Sequence, residues 1–300
     1  MTATVAEARF TEPVVLPATA PFDFGASLRF LHGFAPSAGE QTVVGETLTK
    51  ALRAGGRTVV ARLAAAGDGL TCSLHASGPL TAGEIAAAAD RLRFQLSLDD
   101  DLEDFYAIGR ADPDFAPVID RLYGYHQVKF ASPLENVVWA ILSQRTALTV
   151  AAKEKRALSD AFDDRLVLDG EEYGAFPDAE QLASLSSGRM AELVGNERKG
   201  RYLHGTVRAW LDSDEEFLRN GPYDEVRDYL LGLPGIGPWS ATFVLIRGLG
   251  RMREMPLEKQ LRTAAAHAYG RTLSDAEMQK IADGYGEWQG YWAHYLRVAD

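Results

Sequence analysis

Tyr223–Gly250 reads YDEVRDYLLGLPGIGPWSATFVLIRGLG. Its pattern predicts a helix from Asp224 to Leu231 that stops at Gly232-Leu233-Pro234, because proline cannot continue a helix. Gly235-Ile236-Gly237 then forms a tight hairpin. Pro238 suits the first turn of a second helix, which runs to about Leu249. Two glycines around one apolar residue permit backbone conformations closed to other residues, and they let a partner approach the main chain. Ile236 is the expected plug between the two helices. The first N–H groups of the second helix have no intrahelical acceptors and lie at the positive end of its dipole. A phosphate is a natural occupant of such a terminus. A GxG between helices also suits plain packing, so the functional case rests on the longer string LPGIGPWSA.

Charge is uneven around this segment. The chain carries a net −11 over 300 residues, with DDDLED at 99–104. Residues 247–271, by contrast, hold Arg247, Arg251, Arg253, Lys259, Arg262 and Arg271 against Glu254 and Glu258. Such a cluster suits either a solvated helix face or a local polyanion site, and the global acidity does not decide between them.

Upstream the chain reads as helices. Ser132-Pro133-Leu134-Glu135 supplies a cap, a first-turn proline and a third-position acid ahead of NVVWAILSQ. Further helices are expected over 148–163, from Pro177 through PDAEQLASL, and after the Gly195-Asn196 break. Earlier still, residues 1–20 suggest an extended arm or edge segment, and FDFGASLRFLHGF (22–34) has helical spacing. Thr58–Ala65 and Leu70–Ala76 read as two strands joined by a turn at Ala66–Gly69. Thr81 opens a capping box with Glu84 and a helix to about Leu96. The predicted class is α+β: a small N-terminal antiparallel-sheet domain over 1–110 and a mainly helical domain over 111–300.

Other classes are disfavoured. The single cysteine, Cys72, excludes an internal disulfide, a four-cysteine iron–sulfur cluster and a cysteine-based zinc site. The six histidines show no i, i+4 pairing, so a catalytic metal is not suggested. No apolar run of about 18 residues predicts a membrane span. MTATVAEARFTEPVV lacks a signal-peptide pattern, so a cytoplasmic, nucleoid-associated location is expected.

LPGIGPWSA, together with FDFGASLRFL, Ile141-Leu142-Ser143-Gln144, FPDAEQLASLSSGRMAELVGNERKGRYL and GEWQGYWAHYL, resembles the helix-hairpin-helix (HhH-GPD) DNA glycosylases. Within them it is most similar to the DNA-3-methyladenine glycosylase II branch. The resemblance implies a hairpin that binds DNA through Leu233, Pro234, Gly235, Ile236, Gly237 and Ser240. Members that also cut the backbone carry a lysine two positions after the second hairpin glycine. Trp239 stands there, which implies a monofunctional hydrolase. Trp239 and Phe243 would line the base pocket, although a core stripe is the plainer reading of that spacing.

The branch places its catalytic aspartate two positions beyond a proline, and Met255-Pro256-Leu257-Glu258 carries glutamate instead. Glu258 is therefore a displaced but competent acid, the mark of a damaged-DNA-binding protein without catalysis, or a surface residue. Gln144 and Arg145 match the family's wedge segment, which fills the hole left by a flipped base. The branch's C-terminal Trp falls on Arg297, with Trp288 and Trp292 nearby. Arg247, Lys259 and Arg262 are candidate DNA-backbone contacts. The carbonyls of Leu231, Leu233 and Ile236 would hold a structural K+ or Na+, with no other cofactor. The implied partner is double-stranded DNA containing damaged bases, bound by a monomer.

Overall fold

The computed structural model describes residues 6–300; the part of the N-terminal readings that falls on residues 1–5 lies outside them. The architecture is α+β. A five-stranded antiparallel sheet has the spatial order Phe10–Pro17, Gly69–Ala76, Arg57–Ala66, Thr47–Ala54, Gln41–Val44. The expected hairpin closes at Gly67-Asp68, with Leu63 opposite Cys72. The capping box forms as anticipated: Glu84 N–H donates to Thr81 Oγ1 (3.3 Å) and Thr81 N–H to Glu84 Oε2 (2.7 Å). The helix Ala82–Leu96 it opens buries Ala88, Leu92 and Leu96, spaced four apart on one face.

Four strands escaped the sequence reading: Gln41–Val44, Thr47–Ala54, Arg165–Leu168 and Glu171–Gly174. Thr47–Ala54 (TLTKALRA) is buried at successive positions and does not alternate, and Lys50 interrupts its apolar run. Lys50 is tolerated there because its Nζ lies 3.0 Å from Glu40 Oε2. A second small sheet pairs Arg165–Leu168 with Glu171–Gly174 around Asp169-Gly170, and adds Ala6–Glu7 in parallel. Its Asp-Gly turn is a hairpin signal.

The division at residue 110 does not separate two cores. One apolar core runs from Leu16, Leu63 and Leu74 in the sheet through Leu96 and Phe105 to Leu261, Tyr291 and Tyr295 near the C-terminus. A second is built within residues 130–249 from Val137, Ile141, Leu203, Leu230, Ile236 and Val244. The last helices, Lys259–Ala268 and Gln289–Ala299, thus join the N-terminal lobe, and the chain crosses between lobes after Leu249. Glu40, Lys50, Glu135 and Lys155 add a buried, electrically balanced cluster between the sheet lobe and the helix Pro133–Leu142.

Candidate nucleic-acid interface and base pocket

The helices Tyr223–Gly232 and Pro238–Leu249 flank the expected hairpin. Leu233 and Ile236 are 4% and 6% exposed and packed into the second core. Pro234, Gly237 and Pro238 are exposed. Gly235 has φ +84°, a left-handed backbone, and a Cβ there would lie 2.6 Å from Tyr202 Cδ2. Gly237 has ordinary φ (−100°) and open space around it. Its freedom from a side chain is therefore not a demand of the fold.

Two side chains brace the turn. Thr206 Oγ1 donates to Pro234 O (2.9 Å), and Gln144 Nε2 donates to Gly235 O (2.6 Å). The helix that follows has no side-chain N-cap bond. Among the described residues, the N–H groups of Gly235, Gly237, Trp239 and Ser240 donate to nothing in the chain. Four bare amides around one exposed turn at a helix N-terminus form an anion cradle. The Ser240 side chain itself is 5% exposed, so only its amide can take part.

The contrast between the two glycines makes a test. Gly237→Ala is expected to melt within a degree or two of the parent yet bind duplex DNA about tenfold more weakly, since the methyl blocks close approach. Gly235→Ala is expected to lose both stability and affinity, a left-handed alanine costing roughly 1–2 kcal/mol. Thermal melts and fluorescence anisotropy with the same duplex decide; unchanged affinity in Gly237→Ala would remove the hairpin from the interface.

Of the three carbonyls expected to hold a cation, one main-chain bond among the described residues ends on them, from Ile236 N–H to Leu233 O at 3.1 Å. Among the described residues the oxygens of Leu231 and Ile236 accept no main-chain hydrogen bond, while that of Leu233 is taken.

Beside the hairpin lies an open cleft of about 1050 Å3, at the junction of the two cores. Trp239 and Phe243 line it, stacked with ring centroids 5.3 Å apart and planes within 7°. Trp239 is 44% exposed, which excludes a core stripe at that position. Opposite walls come from a part of the chain that the motif did not reveal. Phe30 and Phe34 stand 5.3 Å apart, and Phe34 meets Phe130 edge-on at 5.2 Å. Trp288 and Trp292 do not line the cleft; Trp292 is fully buried, donating to Tyr269 Oη.

Glu258 is the N-cap residue of Lys259–Ala268 but makes no capping bond. Its side chain lines the cleft instead, 2.8 Å from Arg297 Nη1. The angle of that ion pair does not make a hydrogen bond, and Oε1 has no other partner. A carboxylate aimed into a cleft without a full set of donors is available to a ligand. The plain surface reading of Glu258 therefore falls.

Of the three basic residues expected at the DNA backbone, Arg247 changes role. Arg247 is no backbone contact: it is 6% exposed, lines the cleft and stacks against Phe30 and Phe34. Sequence shows charge but not burial, and this position faces inward because the helix buries it with Val244 and Leu245. Arg262 is exposed but held by Asp275 at 2.7 and 3.0 Å. Lys259 is exposed and, among the described residues, in no ion pair.

At the other rim, Arg145 is exposed with φ +51°, at a sharp loop pinned by the Gln144 bond. Leu148, 54% exposed and lining the cleft, is a second side chain poised at the mouth. The sequence reading singled out Arg145 and not Leu148, whose only signal is an apolar residue opening an exposed helix.

No family model matches the chain. It is 28% identical over 209 residues to the DNA-3-methyladenine glycosylase of Bacillus subtilis, covering 66% of this chain and 67% of that protein. It is 27% identical over 205 residues to a probable bifunctional transcriptional activator/DNA repair enzyme AlkA of Mycobacterium tuberculosis, covering 67% of this chain and 40% of that longer protein. The solved 3-methyladenine DNA-glycosylase of Archaeoglobus fulgidus superposes with a TM-score of 0.78 at 22% identity, covering 96% and 98% of the two chains. This last likeness shows a shared fold.

Proposed function

From a chain that has the helix-hairpin-helix glycosylase fold and resembles the DNA-3-methyladenine glycosylases, we propose a monofunctional DNA glycosylase that hydrolyses the N-glycosidic bond of an alkylated base in duplex DNA. One observation carries this reading: Glu258, Trp239 and Phe243 share a cleft beside a turn with four unbonded amides. The hairpin holds a phosphate near the lesion, Arg145 or Leu148 enters the space the base leaves, and the base stacks on Trp239. As the bond from C1′ to the base nitrogen lengthens, its electron pair leaves with the base. Positive charge grows at C1′, next to the Glu258 carboxylate, which stabilises it. Water adds to C1′ and gives up a proton, to solvent when a cationic base leaves neutral or to the departing base when a neutral one leaves as an anion, completing hydrolysis to an abasic site and a free base. Arg297, 2.8 Å away, pairs with the carboxylate.

Among the described residues no lysine lines the cleft, which supports hydrolysis without a Schiff base. Incubation with duplexes containing 3-methyladenine, 7-methylguanine, 1,N6-ethenoadenine or hypoxanthine is expected to give abasic sites that break only on heating in alkali. Borohydride should trap no protein–DNA adduct. Strand cleavage without alkali, or a trapped adduct, would contradict the assignment.

The ion pair that engages Glu258 favours one rival, a protein of this fold that grips damaged DNA without cutting it. Tight, salt-sensitive binding with no abasic product from any of the four lesions would establish that rival.

A further inference from the structure

The helix Glu197–Trp210 holds two separate segments of the proposed DNA face. Tyr202, Gly205 and Thr206 seat the hairpin: Tyr202 packs under Gly235, a Cβ on Gly205 would lie 3.0 Å from Pro234 Cγ, and Thr206 bonds Pro234 O. One turn earlier, Lys199 holds a different stretch. Its Nζ donates to Leu142 O (2.7 Å), to Thr146 Oγ1 (2.9 Å) and to Glu154 Oε2 (2.7 Å). Leu142 ends the helix Pro133–Leu142, Thr146 lies in the loop after it, and Glu154 sits on the next helix, Leu148–Ser159.

Lys199 is 8% exposed, and an ammonium withdrawn from water must have its donors satisfied. Among the described residues its three acceptors all lie between 142 and 154, so its charge serves the loop and the two helix ends that flank it. The dipole at the end of Pro133–Leu142 favours a cation there. The contacts continue outward. Thr146 Oγ1 donates to Gln144 O at 2.9 Å, and Gln144 Nε2 donates to Gly235 O at 2.6 Å. Between them sits Arg145, exposed and left-handed at φ +51°, a backbone that a long side chain keeps when its surroundings hold it there. One hydrogen-bonded chain thus runs from Lys199 through the loop to the hairpin.

We propose that Lys199 is the positioning residue of the wedge: through Thr146 and Gln144 it fixes the loop that bears Arg145 and leads into Leu148 in register with the phosphate-binding turn. This rests on the reading of the cleft as a pocket for a flipped base. Expelling a paired base costs free energy that a side chain entering the stack offsets. A loop already ordered delivers that side chain at no further entropic cost, whereas a loose one must be ordered at the moment of flipping. Where the lesion is already unpaired, a loose loop costs little.

Two variants test this. Thr146→Val removes the relay hydroxyl with little change of shape. Lys199→Met combined with Glu154→Gln removes the ammonium and its anion together, so that neither is left buried and unpaired. Single-turnover excision of 7-methylguanine is compared in a duplex where it pairs with cytosine and in one where it lies within a short bubble of mismatches. On the paired duplex the rate should fall about fivefold in Thr146→Val and about tenfold or more in the double variant, the range for one neutral and one charged hydrogen bond. In the bubble both should stay near the parent. Equal slowing on the two substrates marks a merely structural role and overturns the proposal, as do unchanged rates on the paired duplex. If the double variant does not fold, Thr146→Val decides alone. A 2-aminopurine beside the lesion, which brightens as the stack opens, separates this idea from the enzymatic one. A parent that excises neither substrate should still brighten the reporter in the paired duplex, and at equal occupancy the variants should brighten it several-fold less. Equal brightening by parent and variants, or a parent that leaves the reporter dark, would refute the role of Lys199.

Discussion

Glu258→Gln is expected to slow lesion excision by roughly 10²–10³-fold while leaving the fold and duplex affinity intact, because it removes a charge positioned where the transition state becomes positive. That loss corresponds to about 3–4 kcal/mol of transition-state stabilisation. The substitution is nearly isosteric, and the side chain caps no helix, so melting should be unaffected. Single-turnover kinetics with saturating protein isolate the chemical step. Glu258→Asp gives the finer reading. A shorter arm withdraws the carboxylate by about 1 Å, and a misplacement of that size can cost roughly 10²-fold. If the cleft is built around glutamate, aspartate will be slower than the parent, even though aspartate is the residue the resemblance implies.

Lys155→Met should destabilise the fold by about 3–5 kcal/mol, because it strands two buried carboxylates. Lys155 Nζ is 2.9 Å from Glu135 Oε1 and also pairs with Glu40, and all three side chains are almost wholly enclosed. Chemical denaturation of parent and variant at pH 7 measures the difference. The same cluster sets the pH dependence of stability. For Glu40, burial raises the pKa, but Lys155 and Lys50 outweigh it and hold the group below its ordinary 4.5. Its contribution is therefore complete above that value and lost as pH falls through the depressed one. For Lys155, burial acts downward, while Glu135 and Glu40 prevail and raise it above 10.5. Its contribution is present below 10.5 and lost as pH rises beyond the raised value. The parent should be most stable between these limits, and Lys155→Met should show a flatter acid limb. An unaltered acid limb would contradict the coupling.

The hairpin could be read from sequence because its signals are local. A helix-stopping proline, a left-handed glycine and a first-turn proline each act within a few residues, and the structure places both helix limits within one residue of expectation. The capping box of Thr81 and Glu84 is readable for the same reason. Apart from the hairpin around Asp169-Gly170, whose signal is local, what escaped depends on distant partners. The strand containing Lys50 looks polar until Glu40 is set beside it. Arg247 looks like a DNA contact until burial against Phe30 and Phe34 is known. The second aromatic wall comes from Phe30 and Phe34, some 200 residues before Trp239 in the chain, and no local pattern announces that meeting. Arg297 stood at an aligned position, but its pairing with Glu258 is a fact of packing alone.

In the proposed complex the turn at 235–240 seats a phosphate and thereby delivers a flipped base to Glu258. A crystal structure of Glu258→Gln bound to a duplex containing 1,N6-ethenoadenine tests it most directly. A phosphate oxygen should lie about 2.7–3.2 Å from the amides of Gly237, Trp239 or Ser240, with the modified base stacked on Trp239 and its sugar at residue 258. A duplex that leaves the hairpin uncovered, or a lesion still stacked within the helix, would contradict the account.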